Sequence, residues 1–200
     1  MHPIIFNAFE RICSERGATG RVLEVGATPT QRTLLCMKSL HKATEKIGIN
    51  LKGPYNYRDF VIVQGNANRM DCFPDRSFDV VLSNATVEHD KYFWKTIAEI
   101  HRVVKKDGLI VIGAPGYTDS KLERSVHKLS RLPLLRRLQN HRLYDALSSA
   151  TITYKVHEFP GDFYRFSLQA FREVFFENCH DVKLETAMWP PRIIGSGRKS

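Results

Sequence analysis

Val22-Leu23-Glu24-Val25-Gly26-Ala27-Thr28 is the stretch from which the fold is read: a short apolar run carrying one acid, closed by a glycine. By itself it has two readings, a strand ending in a tight turn and a strand ending where a ligand needs close backbone approach. The flanking sequence decides the fold. Further apolar runs at 46–51, 60–64, 78–82 and 109–113 read as strands, with helical patterns between them up to about residue 116. That alternation specifies an α/β fold with a mostly parallel sheet and crossover helices, its strands apolar because both faces are covered.

The helices are recognised by their ends. Thr28 followed by Pro29 reads as an N-cap with proline at the first helical position, opening a helix through Leu34, Leu35 and Leu40. Asp90 reads as the cap of the next, with Trp94, Ile97, Ala98, Ile100 and Val104 at helical spacing. Lys105 and Lys106 suit its C-terminal dipole, and Asp107-Gly108 turns the chain into the following strand. Ser167 caps a later helix with Leu168, Phe171, Val174 and Phe175 on one face, and 182–187 with 192–195 form a closing antiparallel pair. Residues 117–150 break the pattern. Leu122, Val126 and Leu129, then Leu134, Leu135 and Leu138 beyond Pro133, lie at helical spacing among Arg and Lys, which reads as a basic helical insertion.

With 200 residues, 42% hydrophobic and 26% charged, the chain has the composition of one soluble globular domain, expected to span 1–200. No apolar run approaches the ~20 residues of a membrane span, and the first residues lack the basic start of a signal peptide, so a cytoplasmic protein is expected. Cys13, Cys36, Cys72 and Cys179 are far apart with no Cys-x-x-Cys pair, so reduced thiols and no metal site are expected. The net charge of +9 is unevenly placed: 117–150 carries 7 basic and 3 acidic residues, and 192–200 carries 3 basic and none acidic. An anionic acceptor would suit the insertion; a solvated cover over the sheet edge is its plainer reading.

Ligands of open α/β sheets bind beyond the carboxyl ends of the strands. Four segments fall there: Glu24-Val25-Gly26-Ala27, Asn50-Leu51, Gly65-Asn66-Ala67-Asn68, and Ser83-Asn84-Ala85-Thr86-Val87-Glu88-His89. His89 follows a strand end, and imidazole is the side chain whose ordinary range lies near neutral pH, which makes it the candidate base; a histidine capping the helix from Asp90 is the structural alternative. His157, Glu158 and Tyr164 are weaker candidates in a loop toward the same edge, where Tyr164 and Phe166 also read as core.

The order of these motifs, with Phe73-Pro74-Asp75-Arg76-Ser77-Phe78-Asp79-Val80-Val81 and Glu99-Ile100-His101-Arg102-Val103, resembles the class I S-adenosylmethionine-dependent methyltransferases. The resemblance covers most of 20–198, is closest over 75–116, and points to the group acting on small-molecule and glycan acceptors. It implies a doubly wound, mostly parallel seven-stranded sheet of the Rossmann-like methyltransferase kind, with the insertion after the fifth strand. It implies S-adenosylmethionine as cofactor, with Glu24, Gly26 and Ala27 bordering its methionine part. Asn50 and Leu51 would then lie at the ribose, Asn66 and Ala67 at the adenine, and Asn84 beside the sulfonium.

The sequence departs from the family where further glycines usually follow Gly26, and where Asn50 and Asn66 stand for acids. The cofactor has no pyrophosphate to cradle, so one glycine suffices, whereas an amide at position 50 offers one acceptor and a donor in place of a carboxylate. Weaker cofactor binding is expected. The departures keep open a second reading, a catalytically silent module binding a protein or nucleic acid through its basic face. A nicotinamide enzyme is disfavoured because no Gly-x-Gly-x-x-Gly is present, and the pattern over 121–138 also permits an interfacial membrane helix.

Overall fold

The computed structural model describes residues 1–117, 153, 155, 156 and 161–200. The basic insertion expected at 117–150 lies outside the described residues apart from Tyr117, as do His157 and Glu158.

In chain order the elements are α1 (Pro3–Glu15), β1 (Gly20–Val25), β2 (Ala43–Asn50), β3 (Tyr55–Tyr57), β4 (Phe60–Gln64) and β5 (Phe78–Asn84). There follow α2 (Phe93–Val103), β6 (Val104–Pro115), the short α3 (Leu168–Ala170), β7 (Cys179–Ala187) and β8 (Arg192–Lys199). The sheet runs β3-β4-β2-β1-β5-β6-β8-β7. The five central strands from β4 to β6 are parallel, while β3, on β4, and β8, on β6 and β7, pair antiparallel. This is the expected doubly wound sheet with one strand more than seven: Tyr55–Tyr57 folds back on β4 as an edge hairpin.

The central strands are apolar where they alternate between two buried layers, while β3 and most of β7 stay half-exposed or exposed. Val22, Val80, Leu82 and Val111 face Ile5, Phe9 and Ile12 of α1. Leu23, Val81, Ile110 and Ile112 face Ile97, Ile100 and Val103 of α2, together with Phe171 and Phe175. The latter two sit on a π-helical turn, Phe171–Phe175, that continues α3, whose N-cap is Ser167 as expected: its hydroxyl accepts from Ala170 N.

Three local expectations are corrected. The helix expected from Thr28 does not form; the chain turns instead and makes two 3-10 turns, Leu34–Cys36 and Lys38–Leu40. Buried Glu24 is the reason, since its Oε2 accepts from Thr33 Oγ1 at 2.5 Å and Leu35 N at 3.1 Å and so fixes the loop. The layer is filled by α1, whose Glu10 carboxylate accepts from Lys38 N and Ser39 N.

Secondly, α2 starts after Tyr92, not at Asp90, and Trp94 is 49% exposed while Phe93 packs against the core. Asp90 instead accepts from Tyr92 N on one oxygen and from Asn68 Nδ2 and Thr96 Oγ1 on the other. Thirdly, Lys105 does not serve the helix end. Strand β6 begins at Val104, and Lys105 pairs with Asp79 at 2.8 Å.

Candidate functional site

Strand order reverses between β1 and β5, so the crevice beyond their carboxyl ends is the switch point where an open α/β sheet takes its ligand. Gly26 and Thr86 meet there. Gly26 has φ +84°, its N–H donates to Ile49 O, and a Cβ on it would collide with Thr86 Oγ1. Thr86 in turn donates within the crevice floor, with Val25 O at 3.3 Å and Asn84 O at 3.2 Å. The glycine is therefore required by packing within the chain, a contact 60 positions along the sequence that no local pattern reveals.

The other sequence-predicted residues fall on both sides of this point. Ala27 is fully buried, and its carbonyl accepts from Asn50 Nδ2 at 2.8 Å, while Asn50 Oδ1 accepts from Lys52 N. Asn50 thus ties the ends of β1 and β2 together. Leu51 beside it is 69% exposed, an apolar side chain turned to the surface of the crevice rim. Asn66 is exposed and its Oδ1 accepts from Asn68 N, whereas Ala67 packs against the core. Glu24 lies beneath the loop with its carboxylate on Thr33 and Leu35, and burial pushes that carboxyl up from its ordinary value against those bonds.

Across the switch point, Asn84 Oδ1 is buried without a donor, above Gly113, where a Cβ would come within 2.7 Å of it. His89 closes the turn Val87–His89, and its N–H donates to Thr86 O. It does not cap α2, which has no side-chain cap.

The sequence reading gave no role to Asn68, Glu88, Arg165 or Arg192, which build this side. Asn68 donates to Asp90 Oδ2 and Thr96 Oγ1, joining the loop after β4 to the start of α2. Glu88, fully buried, accepts from Arg192 Nη2 at 3.2 Å. Arg165 binds Asp162 through both guanidinium nitrogens, with Nη1–Oδ1 at 2.5 Å and Nη2–Oδ2 at 2.7 Å. Phe163 N and Tyr164 N both donate to Glu88 O, and Tyr164 Oη to Lys91 O, so the 161–166 strap is fastened over the end of β5.

The cofactor that the sequence resemblance implies is S-adenosylmethionine, and the residues present fit it in part by side chain and in part by main chain. Asn84 offers a buried acceptor with no donor among the described residues, and Leu51 offers an exposed apolar face at the crevice. Asn50 and Asn66 each keep one amide carbonyl already engaged by a main-chain N–H. Among the described residues no group of three or more His, Cys, Asp or Glu could hold a metal, and no helix is long and apolar enough to cross a membrane.

Residues 20–112 match the model of the methyltransferase domain family. No curated protein matches the sequence. Among solved structures, the chain is similar to a Burkholderia thailandensis 1,6-didemethyltoxoflavin-N1-methyltransferase bound to its acceptor and S-adenosylhomocysteine. That likeness has 14% identity and a TM-score of 0.63, covering 98% of this chain and 78% of that one. A Thermotoga maritima S-adenosylmethionine-dependent methyltransferase, described as a possible histamine N-methyltransferase, is 16% identical with a TM-score of 0.58, over 98% and 90%. The N-methyltransferase NodS of Bradyrhizobium japonicum is 9% identical with a TM-score of 0.58, over 98% and 94%. These likenesses are of fold. The family match runs from β1 through most of β6, across the switch point, so the sheet and its crevice lie in the part of the chain that is similar to the methyltransferase domain family.

Proposed function

We propose that this chain transfers a methyl group from S-adenosylmethionine to a small-molecule or glycan-like acceptor held over the ends of β5 and β6. The observation that carries the reading is the switch point between β1 and β5, which lies within the residues matching the family. When bound, the cofactor supplies an electrophilic methyl carbon on a sulfonium.

The chain's own residues then orient and enclose. Gly26 and Ala27 border the methionine part through their main chain, Asn50 and Leu51 the ribose, Asn66 and Ala67 the adenine, with Asn84 beside the sulfonium. Asn50 does this while tying Ala27 O and Lys52 N, so it shapes the pocket more than it grips the ribose. Methyl transfer needs an aligned nucleophile about 3 to 3.5 Å from the methyl carbon, and a base only where the nucleophile loses a proton. His89, on the turn after β5, is our candidate for that base.

The reading includes one domain over 1–200, with the basic insertion at 117–150 forming part of the acceptor site and favouring anionic acceptors. It also takes the protein to be cytoplasmic. Incubation with methyl-labelled S-adenosylmethionine and a panel of small amines, alcohols and acidic sugars tests it. Label is expected in at least one acceptor, with S-adenosylhomocysteine formed in equal amount. Absence of both across the panel would contradict it.

A further inference from the structure

Two acidic residues are buried among the described residues, and they differ in how their oxygens are used. Glu24 receives a hydroxyl and a main-chain N–H on Oε2 and so organises the loop after β1. Glu88 is 0% exposed; its Oε1 takes Arg192 Nη2 at 3.2 Å, and its Oε2 has no partner. A buried ion pair repays the loss of hydration only when the remaining lone pairs are satisfied as well. Here one carboxylate oxygen is not.

The position is specific. Glu88 sits on the turn directly after β5, and Arg192 is the first residue of β8, paired in register with Pro115 at the end of β6. The carboxylate therefore spans the ends of β5 and β6, across the switch point from Asn50 and Asn66. Arg165, paired with Asp162, also acts on it electrostatically, and His89 follows on the same turn. A purely structural role, bolting the 161–166 strap to β8, accounts for Oε1 and for the two main-chain bonds to Glu88 O. It leaves Oε2 without a purpose.

We propose that Glu88 Oε2 binds the nitrogen of an amine acceptor, accepting its N–H so that the lone pair faces the methyl carbon, and pairs with the positive charge that the methylated nitrogen gains. This rests on the methyl-transfer reading and names its substrate class. The nitrogen lone pair forms the new N–C bond, the C–S bond breaks with its electron pair left on sulfur, and the sulfonium becomes a neutral thioether. The positive charge then sits on the methylated nitrogen, opposite the carboxylate, until the product leaves as its ammonium.

An amine fits where an alcohol does not. Burial pushes the Glu88 carboxyl up from its ordinary 4.5 while Arg192 pulls it down, and a carboxylate facing an amine nitrogen pairs with the positive charge which that nitrogen gains. An alcohol would have to give up its proton to a far weaker base than it requires. A negative charge placed where positive charge develops also favours the transition state over the neutral amine. Arg192 fixes the carboxylate from the opposite oxygen, and the strap closes it from solvent, so entry of the acceptor requires the strap to part from Glu88.

The test uses the full chain, wild type and Glu88→Gln, with matched probes: 2-phenylethylamine and ethanolamine against 2-phenylethanol and ethylene glycol. Calorimetry with S-adenosylhomocysteine first establishes the cofactor site in each protein. The amine and alcohol probes are then titrated into the S-adenosylhomocysteine complex, and label transfer from methyl-labelled S-adenosylmethionine is measured.

The expected result is methylation of amines and not alcohols, lowered by about 100-fold in Glu88→Gln. Amine binding should weaken in the variant while S-adenosylhomocysteine binds as in the wild type. If Glu88→Gln does not fold because Arg192 loses its partner, Glu88→Gln/Arg192→Met removes both charges and is read in the same way. Amine binding and methylation that survive in either variant would overturn the proposal, as would a wild type that binds S-adenosylhomocysteine but methylates only alcohols or none of the probes. A wild type that does not bind S-adenosylhomocysteine would overturn the methyl-transfer reading and this proposal together.

Discussion

At the scale of single residues, Gly26 shows what a sequence can and cannot say. Its place after an acid at a strand end was legible, and so was the need for a residue without Cβ. The reason was not, because Thr86 comes from another strand end and meets Gly26 only when β1 and β5 pair. Gly26→Ala should therefore destabilise the fold by about 1 to 3 kcal/mol, from both the left-handed backbone and the Thr86 contact. Urea unfolding of Gly26→Ala, Thr86→Ala and the double variant checks this. The two effects should be less than additive, since Thr86→Ala removes the group that the new Cβ strikes. Additive losses would mean that the backbone conformation alone sets the cost. Glu88 was hidden for a similar reason: nothing in Val87-Glu88-His89 announces an arginine that follows 104 positions later.

At the scale of elements, the motif Glu99-Ile100-His101-Arg102 carried much of the resemblance, and the structure explains it as a clamp. Arg102 reaches both Glu99 oxygens, Asp75, and the carbonyls of Met70 and Phe73, while Glu99 Oε2 accepts from Met70 N. One helical turn of α2 thereby holds the loop that leads into β5. The hydrogen bond from Arg102 holds the Glu99 carboxyl below its ordinary 4.5, outweighing partial burial. A carboxylate whose folded pKa is depressed adds stability above its unfolded pKa and loses it as pH falls through the folded value. Stability should accordingly fall on acidification from about 4.5 downward, and Glu99→Gln should flatten that part of the profile. Denaturant midpoints of both proteins across that range measure it, and an unchanged slope in Glu99→Gln would remove Glu99 from the explanation.

The elements that escaped the sequence did so through tertiary competition. Thr28-Pro29 has the local signature of a helix start, but Glu24 binds Thr33 and Leu35 across the loop and α1 already fills that layer. The α1 pattern itself was present in Pro3, Ile5, Phe9 and Ile12, with proline in its first turn. Its apolar stripe acquires meaning only against the sheet face of Val22, Val80 and Val111. Trp94 took the place of Phe93 in the expected face because Asp90 reads as a cap, whereas its carboxylate serves Asn68, Thr96 and Tyr92.

For the molecule as a whole, the parallel order was legible because β1, β5 and β6 are buried on both faces, and buried parallel strands need no long-range knowledge to be recognised. The candidate site was legible only as a set of strand ends. Asn50, Asn66 and Gly26 were placed correctly at the carboxyl edge, but their hydrogen bonds within the chain follow from pairings between separate segments.

The central claim is that this edge of the sheet binds S-adenosylmethionine. Calorimetric titration of the full chain with S-adenosylmethionine and with S-adenosylhomocysteine, followed by thermal unfolding at ~100 times the measured dissociation constant, tests it most directly. The account predicts saturable heat with both ligands and a stabilisation of about 2.7 kcal/mol at that excess. No heat and no shift in unfolding with either ligand would contradict it.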